Sequence, residues 1–240
     1  MQLYWFEQTA ADLPVELDWL SSGETVQLQK MRFAKRRNDW LLGRWTAKRA
    51  VATCLQLPED LLVFQQIEIL PKASGAPAVF LNTEKSTVNI SLSHRAGVAA
   101  CVAAPSPAQL GCDLELVEPR STAFAADYFT APEQDFVASA PPNRRSLLLN
   151  LLWSAKESAL KALNTGLRLD TRDVAVDPCF GFDLREWNPL RVRRVGGSPF
   201  DGWWRVDSNM VRTVVSFPSS SAPVSLTLPG RALDGASRCA

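Results

Sequence analysis

Two short segments carry side chains that could act together on an anionic substrate. They are Gly111-Cys112-Asp113-Leu114-Glu115 and Trp153-Ser154-Ala155-Lys156-Glu157-Ser158-Ala159-Leu160-Lys161. In the first, Leu110, Cys112 and Leu114 alternate with Gly111, Asp113 and Glu115, so an extended chain sends both carboxylates to one face and the apolar side chains to the core. Two acids spaced this way repel unless a cation lies between them. A hard divalent ion such as Mg²⁺, which prefers oxygen ligands and keeps waters for a phosphate to displace, suits the pair. A solvated strand edge would carry the same residues. In the second segment Leu151, Leu152, Ala155, Ala159, Leu160 and Leu163 recur at helical spacing and Gly166 follows, which predicts a helix over 147–163. Glu157 and Lys161 then share a face, where an i,i+4 surface salt bridge is the plainer reading. Brought together, the three carboxylates and two lysines would hold a metal-bound phosphate, the apparatus of phosphoryl transfer.

Residues 3–6 read as an opening strand, 23–37 and 39–55 as helices, and 67–70, 88–92 and 97–103 as strands. Pro105-Ser106-Pro107 breaks the pattern. Beyond it come the Asp113 strand, a helix opened by the capping-box pattern Thr130-Ala131-Pro132-Glu133, the 147–163 helix, and strands near Val174, over 203–206 and over 211–216. Mixed elements on both sides of the break predict an α+β fold. No internal repeat is legible in the residues. The end of the chain from Pro218, with Ser219-Ser220-Ser221-Ala222-Pro223 and a polar finish at Arg238, reads as partly flexible, with an edge strand over 224–228.

At 240 residues, 46% hydrophobic and 21% charged, the chain can bury a sizeable core as one large domain or two smaller ones. A net charge of +1 argues against a globally basic nucleic-acid binder. The charge is uneven, however: Lys30, Arg32, Lys35, Arg36, Arg37, Arg44, Lys48 and Arg49 face only Asp39. Such a stretch suits nucleic acid, an acidic membrane surface, or a phosphorylated small molecule with an acidic protein carrier; a solvated helix face would look the same. Without stacking aromatics, zinc spacing or a helix-turn-helix pattern, nucleic acid is the weakest of these. Five cysteines, Cys54, Cys101, Cys112, Cys179 and Cys239, include no C-x-x-C pair, and the N-terminus lacks a secretory pattern, so a reduced cytoplasmic protein is expected. No run reaches the roughly 18–20 apolar residues that span a bilayer.

Gly-x-Asp-x-Glu followed by Trp-Ser-x-Lys-Glu-Ser-x-x-Lys resembles the paired signature motifs of the 4′-phosphopantetheinyl transferase superfamily, in its longer, surfactin-synthetase-type branch. Asn89-Ile90-Ser91-Leu92-Ser93-His94-Arg95-Ala96-Gly97 resembles the family's Ser-His strand, and Trp40-Leu41-Leu42-Gly43-Arg44-Trp45-Thr46-Ala47-Lys48 its N-terminal Gly-Arg helix. The resemblance runs from about Arg37 to Lys161, and the last seventy or so residues match no motif. It implies two similar α+β halves related by a pseudo-twofold, with the active site in the cleft between them. The expected division is 1–107 for the nucleotide end of coenzyme A, 108–217 for the metal and catalytic residues, and 218–240 as a tail. The implied reaction moves 4′-phosphopantetheine from coenzyme A to a serine of an acyl or peptidyl carrier protein, with Mg²⁺ or Mn²⁺ as cofactor, in a cytoplasmic monomer.

By the same resemblance Asp113, Glu115 and Glu157 hold the metal, and Glu157, Lys161 and Asp113 are catalytic. Arg37, Arg44, Lys48, Lys72, Ser93, His94, Lys156 and Lys161 bind coenzyme A, and Trp153 packs. One departure stands out: Gly75-Ala76-Pro77 has alanine where the family has a lysine that helps hold the nucleotide 3′-phosphate. Weaker discrimination against dephospho-coenzyme A follows, unless Lys72, Arg44 or Arg95 shares the load. Two other readings use the same residues: a carrier- or coenzyme-A-binding module without turnover, and a metal-dependent nuclease or phosphatase.

Overall fold

The computed structural model describes residues 1–181 and 183–226. Strand β1 (Tyr4–Thr9) is followed by α1 (Ser22–Gln29), α2 (Ala34–Cys54) and α3 (Leu61–Gln66). Strands β2 (Ile67–Pro71), β3 (Pro77–Leu81), β4 (Glu84–Lys85), β5 (Val88–Arg95) and β6 (Val98–Pro105) complete the first half. The second half runs similarly from a strand through helices to strands: β7 (Gln109–Leu116), α4 (Thr122–Tyr128), α5 (Ala131–Ser139) and α6 (Pro142–Ala162), then β8 (Val174–Pro178), β9 (Asn188–Arg194), β10 (Phe200–Asp207) and β11 (Met210–Phe217). The fold is α+β. A last short strand, β12 (Val224–Leu226), returns to pair with β1 in parallel, covering part of the edge strand expected over 224–228. The remainder of that segment, with Arg238 and Cys239, lies outside the described residues.

In the first half the sheet order is β12-β1-β6-β5, flanked by the separate β2-β3-β4 ribbon. In the second it is β7-β11-β10-β9-β8, antiparallel throughout. Each half packs one 21-residue helix, α2 or α6, onto its sheet. Leu41, Trp45 and Val51 enter the first core with Phe6, Ile67 and Ile90; Leu152, Ala155 and Leu160 enter the second with Val176, Val192 and Trp204. A third apolar cluster joins the halves, setting Leu3, Trp5 and Val102 against Leu110, Leu114 and Val214. Gly111 is required where β7 crosses α6, since a Cβ there would stand 1.8 Å from the Ser158 carbonyl oxygen.

The duplication shows in the two long helices, where Trp45 and Trp153 each stand at the twelfth of 21 positions. Trp45-Thr46-Ala47-Lys48 and Trp153-Ser154-Ala155-Lys156 occupy matching turns. Lys48 pairs with Glu24 at 2.6 Å and donates to the carbonyls of Trp19 and Phe64. Lys156 pairs with Glu133 at 2.9 Å and donates to the carbonyls of Thr171 and Val174. Both glutamates close capping boxes, with Ser21 and Thr130, and each also accepts a backbone N–H from the following ribbon, Ile69 or Val176. One ion pair per half thus staples a short helix, a long helix and a strand.

Three element boundaries differ from expectation. The basic stretch is not one helix over 23–37: the chain turns at Lys30 and Met31 and is extended at Phe33, so Lys35, Arg36 and Arg37 open α2, which runs unbroken through Asp39. Helix α6 begins at Pro142, because proline is favourable in a first turn. Helices α3 and α4 and strands β3, β4 and β9 were not expected; the first four are short, whereas β9 alternates buried and exposed over seven residues, a signal that was there to read.

Candidate active site

The facing edge strands of the two sheets, β5 and β7, meet without a backbone ladder. Alternate side chains of β5 make the seam: Asn89 Nδ2 donates to Ala108 O at 3.1 Å, while Ser91 Oγ and Ser93 Oγ accept from Cys112 N at 3.0 Å and Leu114 N at 3.3 Å. Ser93 Oγ then donates to Asp113 Oδ1 at 2.8 Å. The same oxygen accepts from Lys161 Nζ at 2.8 Å, and Lys161 also donates to Cys112 O at 2.9 Å. Ser93, Asp113 and Lys161 therefore converge from β5, β7 and α6 at the junction. Burial works against the Lys161 charge, but Asp113 and neighbouring groups outweigh it and hold its pKa above the usual value.

Asp113 Oδ2 is buried and has no hydrogen-bond partner among the described residues. Glu157, one position along α6 from Lys156, faces it: burial and then repulsion from Asp113 and Glu115 raise its pKa, with Lys161 opposing. Burial and Asp113 likewise raise Glu115, opposed by Arg95, Arg120 and a hydrogen bond from Trp153. Glu115 Oε2 accepts from Arg120 at 3.1 Å with Arg95 Nε at 3.5 Å, and Oε1 accepts from Trp153 Nε1 at 3.2 Å. Trp153 is thus more than packing, although it also stacks edge-on to Phe124 and Tyr128.

Among the described residues no group of three histidine, cysteine or acidic side chains is arranged as a metal site. The expected shell of Asp113, Glu115 and Glu157 is not closed, because Glu115 is held by its arginines. The donor set nonetheless fits a hard cation: a buried, unpartnered carboxylate oxygen with two further carboxylates repelled by it.

Two cavities open beside the junction. One, of about 530 Å³, is lined by Arg44, Lys72, Gly75, Ala76, Ser91 and Lys161 among others. The second, about 510 Å³, is lined by Phe33, Lys35, Arg36, Arg44, Ser93 and His94 with their neighbours. Arg44 reaches both; its side chain is 12% exposed, its guanidinium lies over Trp40 at 4.8 Å, and its only ion-pair partner among the described residues, Glu24, is 4.0 Å away. Burial lowers its pKa, and its Nε has no hydrogen-bond partner among the described residues, an arrangement that favours an incoming anion. His94 is 60% exposed, with Nε2 3.9 Å from Asp39 Oδ2.

Of the residues expected to bind coenzyme A, Arg44, Lys72, Ser93, His94 and Lys161 line the cavities. Lys48 and Lys156 do not. Both ammonium groups are 0% exposed and are consumed by the buried pairs described above, so neither can reach a ligand. Arg37 is exposed but lines neither cavity; Lys35 and Arg36, on the α2 face that carries Asp39, Trp40 and Arg44, take that place. Sequence reasoning missed Ser91, Arg120 and Asn150. The N-x-S-x-S alternation over 89–93 was the available signal for Ser91, whereas Arg120 and Asn150 carried none.

A profile of the 4′-phosphopantetheinyl transferase superfamily matches residues 109–215, the segment that runs from β7 to β11. The 4′-phosphopantetheinyl transferase psf-1 of Bacillus pumilus is 26% identical over 149 residues, 62% of this chain and 60% of that protein, so the match spans three-fifths of that relative's length. The holo-[acyl-carrier-protein] synthase of Streptococcus pyogenes serotype M1 is 40% identical over 97 residues, covering 33% of this chain and 82% of that protein. Among solved structures, the Helicobacter pylori holo-[acyl-carrier-protein] synthase in complex with coenzyme A aligns with a TM-score of 0.36 at 21% identity, over 44% of this chain and all of that one. With an acidic strand and a Lys-Glu helix packed into one junction inside the matched segment, and with a relative 40% identical over 82% of its own length, the chain belongs to the 4′-phosphopantetheinyl transferase superfamily.

Proposed function

We propose that the protein transfers 4′-phosphopantetheine from coenzyme A to a serine hydroxyl of an acyl or peptidyl carrier protein. The products are the holo carrier and adenosine 3′,5′-bisphosphate. The observation that carries this reading is the convergence of Ser93, Asp113 and Lys161 between two cavities that share the underbonded Arg44.

In this reading the carrier serine oxygen attacks the phosphorus that bears pantetheine, and the bond to the oxygen of the departing nucleotide phosphate breaks. Lys161 spends two of its three N–H donors on Cys112 O and Asp113 and lines the larger cavity, leaving one for a phosphate oxygen. Glu157, its proton affinity raised by burial, takes the serine proton directly or through a water. Arg44, Lys72 and His94 hold the phosphates of the nucleotide end, while Ser93, expected among them, lines the smaller cavity but spends its one O–H on Asp113 and so positions that carboxylate instead. Asp113, Glu115 and Glu157 would hold Mg²⁺, or Mn²⁺ in its place, and the bound cation would neutralise charge on the pyrophosphate oxygens. Residues 1–107 then serve the nucleotide and 108–217 the transfer.

Among the described residues no helix is long and apolar enough to cross a membrane, and Cys54, Cys101, Cys112 and Cys179 are free thiols. We place the protein in the cytoplasm as a monomer, since the junction forms within one chain. The test is intact mass spectrometry of a panel of apo carriers incubated with the protein, coenzyme A and Mg²⁺. A gain of one phosphopantetheine, lost without metal and with Glu157→Ala, is expected. Coenzyme A binding without a gain on any carrier would favour a binding module, and phosphate release independent of carrier a hydrolase.

A further inference from the structure

Building on the metal reading above, we infer that Arg120, with Arg95, stands in for the divalent cation at Glu115, so that metal binding is an exchange of partners. Arg120 is not a loose surface side chain. Its Nε donates to Asn150 Oδ1 at 2.8 Å, and Asn150, fully buried, is itself fixed by donating to the carbonyls of Glu118 and Ser146 at 2.7 Å each. The guanidinium also lies over the Phe124 ring at 5.0 Å. The group that reaches Glu115 is therefore pre-set by three elements: α4, α6 and the segment that leaves β7.

Glu118 completes a neutral quartet. It pairs with Arg95 at 2.7 Å and approaches Arg120 at 3.6 Å, so both arginines are shared between Glu118 and Glu115. When Glu115 turns to a cation, Glu118 still pairs with the arginines, and the one positive charge left over is not stranded in the core, because the Arg95 and Arg120 side chains are 38% and 20% exposed and water reaches them. This accounts for the open shell: Asp113 offers a free oxygen and Glu157 faces it, while Glu115 is already occupied. Arg120 is a positioning residue here, acting on the metal through Glu115.

The two carboxylates that compete for the arginines give substitutions of opposite sign. Removing the stand-in charge by Arg120→Gln frees Glu115 and should tighten Mn²⁺ binding to the full chain without coenzyme A by about tenfold, equivalent to one partly screened charge pair. Removing the competitor by Glu118→Gln commits both arginines to Glu115 and should weaken it severalfold. Arg172→Gln, which deletes an equal charge from a remote exposed pair with Asp170, should leave it unchanged. Free Mn²⁺ measured by electron paramagnetic resonance reads all three, with Asp113→Asn as the variant that abolishes binding.

Unchanged or weaker binding in Arg120→Gln, with wild-type binding lost in Asp113→Asn, overturns the exchange and leaves the metal reading intact. No Mn²⁺ bound by wild type or by Arg120→Gln overturns both. Should Arg120→Gln not fold, Glu118→Gln decides alone, because Glu118 is partly exposed and unchanged or tighter binding there is incompatible with the exchange.

Discussion

Replacing Lys156 by methionine separates two roles that its place in the Trp-Ser-x-Lys-Glu motif confounds. Buried at 0% exposure, its ammonium pairs with Glu133 and donates to two carbonyls. Methionine fills a similar volume, so the loss is of charge and donors rather than of packing. Breaking one side of a buried pair costs about 3–5 kcal/mol, because the partner charge stays in place. Glu133 keeps its N–H donors from Thr130 and Val176, which moderates its cost, while the Thr171 and Val174 carbonyls lose theirs. A net loss of about 4 kcal/mol follows. At roughly 2–4 °C per kcal/mol for a chain this long, the melting temperature should fall by about 8–16 °C. Adding Glu133→Gln should restore part of it, since the uncompensated charge goes too. Thermal and urea unfolding measure this, and calorimetry at a temperature where the variant is folded should give near-normal coenzyme A affinity. A melting temperature within 2 °C of wild type, together with a tenfold loss of coenzyme A affinity, would refute the structural role. Lys48→Met is the matched experiment in the first half.

Gly111→Ala should destabilise by at least 3 kcal/mol or prevent folding, since the new methyl meets backbone rather than a movable side chain; near-wild-type unfolding would mean that β7 and α6 can separate freely. Ala76→Lys, in the lining of the larger cavity, should increase the preference for coenzyme A over dephospho-coenzyme A by about tenfold, seen as a change in the ratio of kcat/KM values; an unchanged ratio would show that Arg44 and Lys72 already suffice. Glu157→Gln should raise the melting temperature of metal-free protein at pH 7.5 by about 2–4 °C, for roughly 1 kcal/mol of relieved burial and repulsion. The sign follows from the raised folded-state pKa: the cost to wild type is present while the group is ionised and disappears as pH falls through the raised value toward the unfolded one. The advantage of the variant must therefore shrink in acid, and a constant difference down to pH 4 would contradict it.

The α+β class and the elements around the chemistry were legible because their periodicity is local: alternation over 110–115, an apolar stripe over 151–163 and a capping box at Thr130. What stayed hidden depends on partners distant in sequence. Lys48 and Lys156 look like ligand-binding lysines in a motif, and only their pairing with glutamates more than twenty residues upstream removes them from the site. The basic stretch gave a correct count of cations but not their destinations, since α2 begins at Ala34 and so carries Lys35 and Arg36, not Arg37, to the second cavity. Arg120 and Asn150 bear on Glu115 through contacts that no local spacing encodes.

The serine seam between β5 and β7 ties correct docking of the halves to correct chemistry. Strand side chains alternate, so a slip of one residue would present Ile90 and Leu92 to β7 in place of the hydroxyls, and a slip of two would displace Ser93 by about 6.7 Å along the strand. Either half could be fully folded in such a misdocked molecule, with its own core, buried lysine pair and helices intact, while Asp113 lost its serine. Circular dichroism and melting of the separate cores would pass such a molecule as native, and only transfer to a carrier, or a probe placed across the seam, would report the error.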